Sequence, residues 1–181
     1  MSRRALALLM LGLMSHACFA GAGEDQAKSF ANLYASLCLR NVANLDALRE
    51  KQKSAPKLAP DKAATFLAGK PGDAWALDDK QGSFVLVLPG GRNLCAVHGR
   101  KANVEEATKL FKGLVANAPA PALARQVRNE QGQSAANGKT QTISYEWSDP
   151  KSTRKMLFTL TTAASSAAQV QVIGEAEFVS Q

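Results

Sequence analysis

This chain has three cysteines, and the place of the first decides what the other two can do. Cys18 lies in a leading segment that reads as a secretory signal: the paired charges Arg3 and Arg4, the apolar run Ala5 to Met14, then small residues. That run is too short for a permanent membrane helix, which takes roughly 20 apolar residues, so we expect it to be removed. Small side chains permit a cut before Gly23, using Ala20 and Ala22, or before Gly21, using Cys18 and Ala20. Lipidation of Cys18 is the weaker alternative, because Ser15 and His16 stand where lipidation sites favour leucine and a small residue. Residues 1–22 are therefore expected to be a signal peptide and 23–181 a single domain with a periplasmic location. In that oxidising compartment Cys38 and Cys95 remain as a pair, and we expect a disulfide between them. Closing a loop of that length contributes on the order of 4 kcal/mol by the chain-entropy estimate.

About 160 residues remain after processing, enough for one domain with a sizeable core. Loss of Arg3 and Arg4 lowers the formal charge of +7 by two, leaving a modest basic excess. The cations are scattered, from Lys28 and Arg40 through Arg92, Arg100 and Lys101 to Arg154 and Lys155. Nucleic-acid binding calls for a clustered basic stripe interleaved with stacking aromatics, and no nucleic-acid partner is expected. No segment after the signal is apolar for long enough to span a membrane.

The periodicity predicts an α+β fold: mainly antiparallel sheet of about seven strands, with N-terminal helices and one central helix packed on one face. Phe30, Leu33, Tyr34, Leu37 and Cys38 share one face of a helix over 24–39. A second helix begins at an Asn44 cap, and a third follows Pro60 and stops at Gly69. From Asp73 the pattern turns to strands: Trp75 and Leu77, then the continuous apolar run Ser83 to Leu88, then Leu94 to His98. Turn signals between them predict an antiparallel meander whose middle strand is buried on both faces. Asn103 and Glu106 cap the clearest helix, which carries Val104, Ala107, Phe111, Leu114 and Val115 on one face. The remainder reads as strands with one packed and one wet face: Leu123 with Val127, Ile143 with Tyr145 and Trp147, Met156 with Phe158 and Leu160, and Val170 to Phe178. Gln131 to Gly138 is expected to form a mobile hairpin tip.

With His16 lost in the signal, His98 is the only histidine of the processed chain. No metal site is expected, since Cys95 and His98 stand three residues apart on a strand and point to opposite faces. A disulfide would consume the thiol, leaving a structural cystine beside a surface histidine. No Gly-x-Ser-x-Gly elbow selects a serine for His98, and Pro89-Gly90-Gly91 lacks the helix and Lys-Ser/Thr of a phosphate loop. Asp78-Asp79 lacks the alternating oxygens of a calcium loop. No catalytic residue and no cofactor is assigned. Trp75, Tyr145, Trp147 and His98 remain as partner-binding candidates, because aromatic side chains dominate binding hot spots.

Phe30 and Cys38 on a helix, Phe66-Leu67 ahead of Gly72-Asp73-Ala74-Trp75, and Cys95-Ala96-Val97 together resemble a group of small exported proteins or lipoproteins of Gram-negative bacteria. The resemblance implies a periplasmic home and a two-cysteine scaffold, and it transfers no catalytic residue. The function expected from these features is non-enzymatic protein binding in the cell envelope, of the inhibitor or immunity type, against an envelope-directed toxin or hydrolase. Two alternatives stand beside it: a carrier or sensor of a small apolar ligand held between helices and sheet, and a hydrolase using His98.

Overall fold

The computed structural model describes the backbone of residues 17–180, with side chains over 21–179. Arg3, Arg4 and the apolar run of the expected signal lie outside the described residues. Both expected cut positions fall inside the first helix, α1 (Ala17–Leu33). A π-helical segment, Tyr34–Leu39, continues it, and the helices α2 (Leu45–Gln52) and α3 (Pro60–Leu67) follow. Next come β1 (Gly72–Leu77), β2 (Phe84–Pro89), β3 (Leu94–Gly99) and α4 (Val104–Val115). The strands β4 (Leu123–Ser134), β5 (Gly138–Ser148), β6 (Arg154–Thr162) and β7 (Val172–Ser180) complete the order.

Local chemistry explains the boundaries. Asn44 accepts the amide of Ala47 at 3.1 Å to start α2, and Asn103 accepts those of Glu105 and Glu106, both at 3.0 Å, to start α4. Pro60 opens α3, while Ala68 and Gly69, at φ 49° and 74°, turn the chain out of it. The first helix departs from a regular α pattern: Arg40 N–H reaches back five residues to Ala35 O at 3.1 Å. Tyr34 and Cys38 on this wider turn are both fully buried.

All seven strands form one antiparallel sheet in the order β1-β2-β3-β7-β6-β5-β4. Two meanders, β1 to β3 and β4 to β6, are thus joined by β7, which pairs Cys95 with Ala176 on one side and Phe158 with Ala176 on the other. The α+β reading and the strand count hold. The helix layer, with Phe30, Tyr34, Leu45, Leu48 and Phe111, packs on the face that presents Trp75, Leu86, Val97 and Phe158. The short α3 lies on the opposite face, where Ala63 and Leu67 meet Ala74, Val87 and Ala96. Alternate side chains of β2 therefore enter two different cores, which accounts for its unbroken apolar run.

Two features hold helix layer and sheet together. Cys38 on the π turn is joined to Cys95 on β3, with Cα atoms 5.3 Å apart. Gly174 on β7 lets α1 approach, since a Cβ there would stand 2.8 Å from Tyr34 and 2.9 Å from Phe30. The Tyr34 hydroxyl crosses the same gap and donates to the Glu175 carbonyl at 2.9 Å.

Candidate functional site

The aromatic candidates are largely withdrawn from the surface. Trp75 is 1% exposed and packs in the main core, so it is not a surface anchor. Strand alternation explains this: Trp75 shares the helix-side face with Leu77, directly opposite Leu86 of β2. Its indole Nε1 has no hydrogen-bond partner among the described residues. Trp147 is also buried, edge-on to Phe158 at 4.6 Å, and donates its indole N–H to the Val115 carbonyl at 2.6 Å. Tyr145 is half-buried beside the same core and donates its hydroxyl to Gln126 at 3.0 Å. The three aromatics thus build the helix–sheet contact and do not converge on one site.

His98 is displaced from its expected setting in the other direction. Cys95 faces the helix layer and His98 the opposite face, as alternation requires, but α3 lies over that face. The imidazole is half-buried and meets Phe66 of α3 edge-on, with ring centroids 5.4 Å apart. Burial pushes its pKa down from 6.5 to about 4, so the ring is neutral at physiological pH. It is not a solvated surface histidine, because α3 removes the water that strand alternation alone would leave. Among the described residues no hydrogen bond joins His98 to a hydroxyl, thiol or carboxylate, so no nucleophile–base pair is assembled there. No group of three or more His, Cys, Asp or Glu side chains comes together as a metal site among the described residues.

The two edges of the sheet differ sharply. Along β1 the connecting segment is laid against the strand: Lys57 bridges Trp75, and Leu58 N–H donates to Ala74 O at 2.8 Å. Lys57 also pairs with Asp73 at 2.7 Å, its ammonium 5.8 Å from the Trp75 ring. At the far side β4 pairs with β5 alone, and none of its residues is buried. Val127 is a bulge between Gln126, opposite Tyr145, and Arg128, opposite Ser144. It is 41% exposed and Leu123 is 65% exposed, the two large hydrophobic side chains most open to solvent among the described residues. Both read in sequence as members of a packed face. The bulge and the edge position, which period-two spacing does not reveal, turn them outward. Charges flank them: Arg125 lies 3.4 Å from Glu146, and Arg128 lies 2.7 Å from Glu130.

The face of the second meander away from the helix layer is partly buried and self-satisfied. Ser144 and Thr159 share a hydrogen bond at 2.8 Å, and Thr142 and Thr161 share one at 3.2 Å. Glu175 sits on this face with its pKa raised, by burial first and then by the nearby Glu177, whose carboxylate Arg92 holds at 2.7 Å. The hairpin tip is tied down as well, since Val170 N–H donates to Asn137 and Gln169 N–H to the Ala136 carbonyl.

No protein-family model, curated protein or solved structure matches this chain. The geometry defines it by class: an α+β protein with one seven-stranded antiparallel sheet, a helix–sheet disulfide and one uncovered edge strand. No helix among the described residues is long and apolar enough to cross a membrane.

Proposed function

We propose that this chain is a non-enzymatic protein-binding module of the cell envelope, of the inhibitor or immunity type, which takes a segment of its partner as an added strand along β4. The observation that carries the reading is that edge: a 12-residue strand, paired on one side only and with no buried residue, on a sheet whose other edge is covered. An open edge offers a row of backbone donors and acceptors to an extended chain. Leu123 and Val127 supply apolar contacts to an incoming strand, while the bulge and the Arg125 and Arg128 charges discourage indiscriminate pairing. The leading signal segment and the Cys38–Cys95 bridge support an oxidising, extracytoplasmic setting, and a toxin or hydrolase directed at the envelope is the partner class met there.

The test is site-specific photocrosslinking in periplasmic extract, with the reactive group placed at Val127 or, as a control, at Lys109 on the exposed side of α4. Val127 is expected to give discrete protein adducts that Lys109 does not, and Leu123→Arg is expected to abolish them without changing the melting temperature. Equal adducts from both positions, or adducts that survive Leu123→Arg, would overturn the assignment to β4.

A further inference from the structure

A groove lies on the face opposite the helix layer, where α3 does not fill the space over β2 and β3. The groove has a volume of about 310 Å³, at the small end of the range occupied by ligand sites. Its walls are apolar: Phe66 on α3, Val85 on β2 and Val170 ahead of β7. Lys62 and Arg100 stand at its rim, both exposed, and neither forms an ion pair with any described residue. No carboxylate among the described residues lines it. His98 forms part of the wall and makes no hydrogen bond within the described structure.

We propose that this groove binds a small single-chain carboxylate, with its alkyl tail against Phe66, Val85 and Val170 and its anionic head at Lys62, Arg100 and His98. Each part of the ligand follows from a part of the site. An apolar floor favours a hydrocarbon tail, and about 310 Å³ restricts it to a short or medium length. Two cations without protein counter-charges select an anion over a neutral alcohol or an amine. The neutral imidazole keeps one N–H to donate and places no like charge beside the rim cations. The site is separate from β4, so it stands or falls independently of the strand-addition reading.

Octanoate is a suitable probe, with octylammonium and 1-octanol as charge-reversed and uncharged controls of equal tail length. Two-dimensional NMR of the intact protein is expected to show saturable octanoate shifts at His98, Val85 and Val170. Affinity is expected to be at least tenfold weaker for octylammonium. Lys62→Gln combined with Arg100→Gln, both at exposed positions, is expected to weaken octanoate at least tenfold while leaving the melting temperature and 1-octanol binding unchanged. Leu123→Arg, which addresses the β4 edge, is expected to leave octanoate binding intact. The proposal is overturned by octylammonium binding as tightly as octanoate, by saturable shifts that map elsewhere, or by the absence of saturable shifts with octanoate.

Discussion

The covered edge at β1 and the open edge at β4 belong to one continuous sheet, yet they solve the same problem in opposite ways. At β1 the chain covers its own strand with the segment around Lys57 and Leu58, and the neighbouring meander is packed on both faces. At β4 nothing described covers the strand, and bulge and charge stand in for cover. The contrast separates a buried edge from an exposed one, and the proposed strand addition falls to the exposed one. Burial fixes the strand at one side, while at the other β4 is held by its pairing with β5 and keeps its outer edge open to solvent.

The sharpest way to break the contrast is to shorten an apolar side chain at each edge. Trp75→Ala is expected to cost about 3–5 kcal/mol, since a fully buried indole is lost. Leu123→Ala is expected to change stability by less than about 0.5 kcal/mol, because its side chain is 65% exposed. Chemical denaturation of the two variants measures both, and comparable losses would erase the distinction between the edges. Reduction of the Cys38–Cys95 bridge comes next, with a loss of about 2–4 kcal/mol. Hydrogen exchange should then report a larger acceleration of opening in β3 than in the already exposed β4.

Acid should weaken the α3-covered meander through His98. The unfolded chain takes up a proton as pH falls below about 6.5, while the buried ring resists protonation until about pH 4. Stability attributable to His98 is therefore present at neutral pH and is lost as pH falls across that window. The upper limit of the loss is about 3 kcal/mol, reduced by whatever solvent reaches the half-buried ring. Glu175 works in the opposite sense, because its raised pKa makes the folded state the better proton acceptor and adds stability toward acid. Comparing the pH dependence of the parent with that of His98→Phe isolates the histidine, and identical slopes would remove it from the account. A smaller effect, about 1 kcal/mol, is expected for Trp147→Phe, which keeps the contact with Phe158 but loses the bond to the Val115 carbonyl.

Much of this architecture is legible in the residues themselves. The apolar run of β2, the alternation around Ile143 and Trp147 and the Asn103 cap encode local structure, because each depends on spacing along one segment, while the cysteine pair follows from the count of cysteines left beyond the expected signal. The pairing of β3 with β7 is different in kind. It joins Leu94 to Glu177 across nearly half of the chain, and no spacing rule links segments so far apart. The same gap explains the site residues. Trp75 and His98 sit on strands as their neighbours predict, but whether they meet water depends on what lies above them. For Trp75 that is the main core, and for His98 it is α3. Leu123 and Val127 alternate as a packed strand would, and only their place at the edge leaves them exposed.

The central position of β7 also bears on how the chain acquires its structure during synthesis. A chain that emerges from its amino end presents both meanders before β7, so until then β3 and β6 each show a bare inner edge. Neither half can finish its hydrogen-bond ladder, and Phe158 and Cys95 lack the Ala176 neighbour that lies between them. The nascent molecule is therefore two unfinished sheets, and the arrival of a single strand converts them into one cooperative unit. Mutations that slow this last insertion should reveal themselves as aggregation during production more than as lost stability in the finished protein.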